Sequence, residues 1–321
     1  MLALRISDQQ LKLEQVSRPE TNGEALVRVI RSGICGTDLE LVKGYSGFKG
    51  TPGHEFVGIV EATHERTELI GKRVVGEINA GCGACELCIG GDSRHCPDRT
   101  VLGIVGRDGA HAEYLKLPVR NLFQVPTTIS DGSAVFVEPL AAAFAVTERI
   151  DVKDGDMIAA IGDGKLGILS ARVLSSSFPE NELVVIGKHP EKLELLGKSG
   201  IETAAVENAA KMSRRFDIVV EASGSESGFA TALGLVRPRG TIVLKSTYHS
   251  LAKWDASRVV VNEISVVGSR CGRFEPALEL LSSNQIEVAD LISEEFSLSE
   301  GLAAFERAGT KGVLKVLLNM S

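Results

Sequence analysis

The sequence is poor in several features that mark particular classes of protein. Aromatic residues make up 5% of the chain, with a single Trp, and 35 Lys and Arg are outnumbered by 42 Asp and Glu. The formal net charge of −7 excludes the global basic field that attracts nucleic acid or anionic lipid. No run approaches the roughly 18 apolar residues of a membrane span, and the N-terminal segment reaches Arg5 and Asp8 too soon for a signal core. We therefore expect a cytoplasmic protein with neither a nucleic-acid nor a membrane partner.

Cysteine is also scarce, since the chain has six, yet four of them lie in the stretch 81–96. Cys82, Cys85, Cys88 and Cys96 follow the rhythm C-x2-C-x2-C-x7-C. In a reducing compartment, thiols at short, regular spacing are better explained as metal ligands than as disulfide partners. Four thiolates complete a tetrahedral zinc site and leave no open position for substrate, so we predict a structural zinc. Free thiols or a disulfide pair are the alternatives.

The residue pattern changes along the chain. The first 135 residues or so read as short strands bounded by Gly and Pro, whereas from about residue 155 strands alternate with helices. Such alternation is typical of a parallel sheet with helices on both faces. A length of 321 residues suggests about two domains. We predict an α/β protein with a mainly-β domain over 1–138, a parallel-sheet domain over 139–269, and a C-terminal segment over 270–321.

A glycine loop, GDGKLG, follows an apolar strand and opens a helix. Gly162, Gly164 and Gly167 have the G-x-G-x-x-G spacing in the context that supports dinucleotide binding, although a purely structural turn is the alternative. The first glycine makes the tight turn, the second lets the backbone approach a pyrophosphate, and the third lets helix and strand pack closely. The candidate cofactor-binding residues here are Gly162, Asp163, Gly164, Lys165, Leu166 and Gly167.

The end of the next strand bears on which dinucleotide is bound. NAD binders usually place Asp or Glu there, to hold the ribose 2′-hydroxyl, but this chain has Gly187, Lys188 and His189. Glycine leaves room for a 2′-phosphate and Lys188 can pair with it, which favours NADP over NAD. The alternative is that Lys188 is a solvated residue at a helix start and both cofactors bind.

Three further stretches accompany the cysteine cluster and the glycine loop: SGICGTDLEL, TPGHEFVGIV and FVEPLAAA. The order of these motifs along the chain is informative. Together they resemble the zinc-dependent medium-chain dehydrogenase/reductase family, which includes alcohol, sorbitol, threonine and glucose dehydrogenases. The resemblance covers nearly the whole chain. It implies a GroES-like catalytic domain over 1–138, a Rossmann dinucleotide-binding domain over 139–269, and a segment over 270–321 that partly returns to the catalytic domain. It also implies a homo-oligomer that is a dimer or a tetramer.

The resemblance also implies a second, catalytic zinc, and hence two zinc ions per chain. The family's ligands correspond to Cys35, His54 and, in its polyol and sugar branch, Glu138. Glu55 is implied as an alternating ligand or a neighbour of the metal, because adjacent strand residues point to opposite faces. The alternatives are packing for Cys35, a structural turn for His54 and a helix N-terminal carboxylate for Glu138.

Several supporting residues are implied in the same way. Thr37 matches the hydroxyl that relays the alcohol proton, and Asp38 matches the carboxylate that orients the zinc-binding histidine; turn and cap chemistry is the alternative for both. Where many alcohol dehydrogenases end the relay in histidine, this chain has Glu40. Arg270 matches a cofactor-binding arginine or makes an ordinary surface ion pair, and Cys271 is interpreted as packing.

The sequence therefore predicts an oxidoreductase that transfers a hydride between NAD(P) and a secondary alcohol, polyol or sugar. The alternative is a zinc-binding or regulatory module that has kept the dehydrogenase scaffold without catalysis. Tyr45, Phe48 and Trp254 are candidate walls of the substrate pocket, and each is as easily a core residue.

Overall fold

The computed structural model describes residues 1–247 and 255–320 in two compact units. The first unit joins Met1–Glu138 to Phe274–Ser321, and the second is Pro139–Arg273. The second unit thus runs to Arg273, four residues past the predicted 139–269. Among the described residues, no helix combines the length and apolar character needed to cross a membrane.

The first unit is built mainly from short strands. Its strands are β1 (Leu2–Ser7), β2 (Gln10–Gln15), β3 (Ala25–Ile34), β4 (Glu55–Ala62), β5 (Arg73–Gly76), β6 (Asn79–Ala80), β7 (Thr100–Val101), β8 (Tyr114–Leu117) and β9 (Leu122–Gln124). Its helices are α1 (Gly36–Val42), α2 (Glu86–Ile89), α3 (Asp131–Ala134) and α4 (Val137–Phe144), the last of which continues into the second unit. Pro139 lies in the first turn of α4, where its missing N–H costs nothing.

The segment after residue 273 completes the first unit. It contains α9 (Phe274–Ser282), β16 (Ile292–Ser297), α10 (Gly301–Ala308) and β17 (Lys315–Asn319), numbered after the elements of the second unit given below. β17 pairs antiparallel with β3 and parallel with β16, so the sheet runs β16-β17-β3-β4-β5-β9, with β8 also on β3. Apolar side chains of β3 and β17 pack with Leu4, Leu298 and Phe305 in one buried cluster. Residues far apart in the chain therefore share one core.

The second unit is a doubly wound parallel sheet. Its elements are β10 (Ile158–Ile161), α5 (Lys165–Ser177), β11 (Leu183–Gly187), α6 (Pro190–Lys198), β12 (Glu202–Ala205), β13 (Phe216–Glu221), α7 (Glu226–Leu235), β14 (Val236–Leu244), α8 (Ala256–Val261) and β15 (Ser265–Gly268). The strand order is β12-β11-β10-β13-β14-β15, every pair parallel. Since the order reverses at β10, ligands are expected at the carboxyl ends of β10 and its neighbours.

Candidate metal centres and dinucleotide site

The four clustered cysteines converge around the short helix α2. Cys85 is the residue before α2, Cys88 lies within it, and Cys82 and Cys96 approach from the two flanking loops. Their sulfur atoms all lie within 4.8 Å of one another. This compact arrangement of four thiols fits the tetrahedral coordination of zinc.

The acid–base properties of these thiols also fit a cation. The N–H groups of Ala84 and Cys85 lower the pKa of Cys82 to about 6. For Cys85, the Cys88 N–H acts to lower the pKa, but desolvation and the neighbouring cysteine side chains outweigh it and raise the pKa to about 11. The first thiolate therefore makes the next harder to form, and a divalent cation would relieve that repulsion.

A second group of donors forms between β3 and β4. Cys35 directly follows β3 and caps α1, His54 precedes β4, and Glu55 is the first residue of β4. One ligand atom from each lies within 4.8 Å of the others. Because His54 comes before the strand begins, strand alternation does not force the His54 and Glu55 side chains apart.

Asp38 fixes the geometry around this group. One carboxylate oxygen accepts the Cys35 N–H at 2.8 Å, and the other accepts the Gly53 N–H at 3.0 Å. His54 Nδ1 is buried and lies 3.5 Å from Asp38 Oδ1 without forming a hydrogen bond, so Asp38 acts on this nitrogen through its charge, and Nε2 is the nitrogen available to a metal. Burial opposes ionisation of Asp38, but His54 and His111 hold its pKa well below the usual range. The same carboxylate raises the pKa of His54 against the effect of burial.

Glu138 lies close to this group but outside it. In the part of the chain that the structure describes, the tight group comprises Cys35, His54 and Glu55. Glu138 occupies the first turn of α4 and retains some exposed surface. Desolvation, opposed by His54 and reinforced by neighbouring carboxylates, raises the pKa of Glu138 to about 7. The charges of His54 and Glu55, two of the three tightly grouped donors, therefore act on the Glu138 carboxyl group.

The glycine loop of the second unit has the close contacts that its motif predicts. Gly162, at the end of β10, has a φ of +117°, and a Cβ there would lie 2.6 Å from the Ala222 carbonyl oxygen. A Cβ on Gly167 would lie 2.1 Å from the Gly162 carbonyl oxygen, so only glycine lets α5 start this close to β10. Gly164 is the N-cap of α5, and Lys165 and Leu166 form its first turn, whose N–H groups favour an anion. The loop fits a pyrophosphate.

The end of β11 differs from its predicted environment. The Asp163 carboxylate accepts the N–H groups of Lys188 at 2.5 Å and His189 at 2.7 Å. A Cβ on Gly187 would lie 2.6 Å from Asp163 Oδ2. The space that Gly187 was predicted to leave for a 2′-phosphate is thus filled by Asp163.

Comparison with known proteins places the chain in a family. Residues 21–127 match the model for the alcohol dehydrogenase GroES-like domain, and residues 180–283 match that for zinc-binding dehydrogenase. An L-threonine 3-dehydrogenase from Shewanella halifaxensis is 30% identical over 328 residues, covering 94% of both proteins. The chain belongs to the zinc-dependent medium-chain dehydrogenase/reductase family. The family resemblance expected from the motifs is confirmed.

Solved structures of similar proteins confirm the fold class, a GroES-like unit plus a Rossmann unit. An alcohol dehydrogenase (RspB) from Escherichia coli CFT073, solved with NADH, has a TM-score of 0.91 and 26% identity, covering 100% of this chain and 99% of its own. A zinc-binding dehydrogenase from Sinorhizobium meliloti 1021, bound to NADP, has a TM-score of 0.89 and 26% identity, covering 99% and 98%. Structures similar to this dehydrogenase therefore include one with each cofactor.

Two residues of this medium-chain dehydrogenase were missed by sequence reasoning. Lys315, in β17, forms an ion pair with Glu55, and both side chains are 1% exposed. Burial lowers the pKa of Lys315, but Glu55 and then Cys35 raise it above its ordinary value. His111 is fully buried, with Nε2 3.4 Å from Asp38 and Nδ1 2.8 Å from Ser32 Oγ. Nothing in the sequence around Lys315 indicates that it lies beside a carboxylate. His111 lies in the stretch AHAEYLKLP, whose pattern predicts only a strand.

The remaining predicted site residues are placed as follows. Thr37 Oγ1 lies 3.9 Å from Cys35 Sγ. Glu40 accepts a hydrogen bond from Lys43 at 2.9 Å. Arg270 is exposed, and its Nε lies 3.2 Å from Cys271 Sγ.

Of the predicted pocket residues, Tyr45 is exposed and Phe48 is half-buried, whereas Trp254 lies outside the described residues.

Proposed function

We propose that this dehydrogenase is zinc-dependent and transfers a hydride between a nicotinamide dinucleotide and a secondary alcohol, a polyol or a sugar. The observation that supports this most is the group of Cys35, His54 and Glu55, whose ligand atoms lie within 4.8 Å. A thiolate, an imidazole and a carboxylate are the donors of catalytic zinc sites, which keep one position open for substrate. One relative is named an L-threonine 3-dehydrogenase, and the hydroxyl on carbon 3 of threonine is a secondary alcohol, which agrees with this substrate class.

We further propose two zinc ions per chain. The first would be held by the four clustered cysteines. The second would be held by Cys35 and His54 with a third ligand that is either Glu55, when released from Lys315, or Glu138. When bound, this zinc would lower the pKa of an alcohol hydroxyl, and the dinucleotide would accept the hydride.

The surrounding side chains have distinct roles in this proposal. Asp38 is anchored by the Cys35 and Gly53 N–H groups, and its charge beside His54 Nδ1 would favour the orientation in which Nε2 faces the metal position. The Thr37 hydroxyl, beside Cys35, is positioned to accept the alcohol proton and pass it to Glu40 or to water. Lys315 neutralises Glu55 while that carboxylate is not needed by the metal.

The cellular location and the oligomeric state of the protein remain predictions. A cytoplasmic location and a dimer or tetramer are proposed on the family resemblance. The predicted preference for NADP is not part of this proposal: the exposed Lys188 side chain favours it, but Asp163 fills the space beside Gly187 on which it depended. The non-catalytic alternative draws on the cysteine cluster alone, and the second donor group counts against it.

The test combines zinc content with turnover. Elemental analysis of protein purified without chelators should find two zinc ions per chain, and Cys35→Ser should reduce this to one and abolish hydride transfer to NAD or NADP. Cys271→Ser, the matched substitution outside both donor groups, should retain two zinc ions. A Cys35→Ser protein with two zinc ions and full turnover would contradict the proposal.

A further inference from the structure

Asp163, the variable residue of the glycine loop, reaches across to the end of the neighbouring strand. Its Oδ2 accepts the N–H groups of Lys188 and His189, at 2.5 and 2.7 Å, and its Oδ1 lies 2.9 Å from His189 Nδ1. These donors directly follow β11, where NAD-binding proteins usually have an acidic residue. A carboxylate therefore stands at the acidic position, although it is supplied by the adjacent loop.

Gly187 makes this arrangement possible. A Cβ at this residue would lie 2.6 Å from Asp163 Oδ2 and 2.8 Å from Asp163 Cβ. Any other side chain at position 187 would push Asp163 away. The absence of a side chain at Gly187 therefore allows the Asp163 carboxylate to lie at the end of β11.

Asp163 is charged and retains a small accessible edge. Burial acts against ionisation, but the His189 ring and the N–H groups of His189 and Lys188 lower the pKa of Asp163 below its ordinary value. An ionised carboxylate offers about four acceptor positions, and the three contacts above use three of them. The side chain is 9% exposed. One acceptor position is therefore left for a hydroxyl donor.

We propose that Asp163 determines cofactor choice, by accepting the adenosine ribose 2′-hydroxyl of NAD(H) and repelling the 2′-phosphate of NADP(H). This inference rests on the proposed dehydrogenase function and reverses the preference predicted from Gly187 and Lys188. Asp163 already holds the Lys188 and His189 N–H groups, so these two donors are not available to a 2′-phosphate. It would also lie beside a fixed negative charge, and an uncompensated pair of this kind costs on the order of 100-fold in affinity.

Direct binding tests this without relying on turnover. We would titrate the zinc-loaded, full-length protein with NADH and with NADPH, following nicotinamide fluorescence. Wild type should bind NADH on the order of 100-fold more tightly than NADPH. Asp163→Asn, which keeps an acceptor oxygen and removes the charge, should shrink this ratio to about tenfold or less. Asp163→Ser, which also frees the N–H groups, should shrink it further.

The matched control is Asp154→Asn. Asp154 is exposed in the turn before β10, at the opposite edge of the sheet, so the same charge change there should leave the ratio as in wild type. Circular dichroism of each variant confirms folding before titration. A wild type that prefers NADPH, or an Asp163→Asn protein with an unchanged ratio, would overturn the inference alone. A wild type that binds neither dinucleotide would overturn the proposed function as well.

Discussion

Replacing Lys315 by Met tests the buried ion pair beside the proposed catalytic metal. Methionine keeps most of the length and apolar packing of the lysine stem, so the change removes the charge. Both Lys315 and Glu55 are 1% exposed, so Glu55 would be left as an isolated buried carboxylate. Removing one partner of such a pair typically costs about 3–5 kcal/mol. We expect the zinc-free protein to lose that much stability in the first unit.

Zinc and a second substitution should reverse the loss. Because Glu55 belongs to the tight donor group, a bound cation can take over the neutralising role of the ammonium. The loss in Lys315→Met should therefore be smaller in zinc-loaded protein. Glu55→Gln added to Lys315→Met should restore most of the stability, since a neutral amide no longer needs a cation. This double-mutant cycle isolates the pair from the packing of each residue.

The assay must report on the first unit, because the two units need not unfold together. Hydrogen exchange of peptides from β3, β4 and β17, measured with and without a chelator, gives the local free energy of opening. Lys311→Met, at an exposed position four residues earlier, is the matched control and should change stability by less than about 0.5 kcal/mol. An opening free energy of zinc-free Lys315→Met within about 1 kcal/mol of wild type, or no recovery on adding Glu55→Gln, would contradict this account of the buried pair.

Two further predictions concern acid–base groups near the same metal position. The pKa of Glu138 is raised from 4.5 to about 7. Protonated Glu138 therefore stabilises the fold at low pH, and this stabilisation is lost as the pH rises through this range. Zinc-free wild type should thus lose up to about 3 kcal/mol between pH 4.5 and 7 relative to Glu138→Gln, less for its partial exposure; parallel pH curves of the two would contradict this. Asp38→Asn should weaken zinc at the Cys35 and His54 site by about 10–100-fold and leave the cysteine-cluster zinc intact, measured by competition with a chelator; equal loss of both zinc ions would indicate general misfolding instead.

Sequence reasoning performed best where the chemistry is local in the chain. The four cysteines lie within 15 residues and the glycine loop within six, so spacing and context define them without tertiary knowledge. Contacts between distant segments gave no such signal. Lys315 meets Glu55 only because β17 pairs with β3, and β3 pairs with β4.

The environment of Gly187 shows a second limit of the sequence. Glycine at the end of β11 was interpreted as empty space for a phosphate. The structure places Asp163 there because β10 and β11 are parallel neighbours whose carboxyl ends meet at one edge. A missing side chain can make room for a residue of the same protein as well as for a ligand, and here the contact with Asp163 shows which of the two it is.

The division of the first unit between both ends of the chain has a consequence for biosynthesis. During translation, Cys35, His54, Glu55 and Glu138 all emerge before the parallel-sheet unit, whereas Lys315 emerges after it. Until then β3 lacks its β17 neighbour, and Glu55 lacks its ammonium partner. A metal ion that reaches the nascent chain meets an uncompensated acidic site, and one that reaches the finished protein must compete with a lysine. The ammonium group that opposes metal binding at Glu55 is therefore the last part of this site to be synthesised.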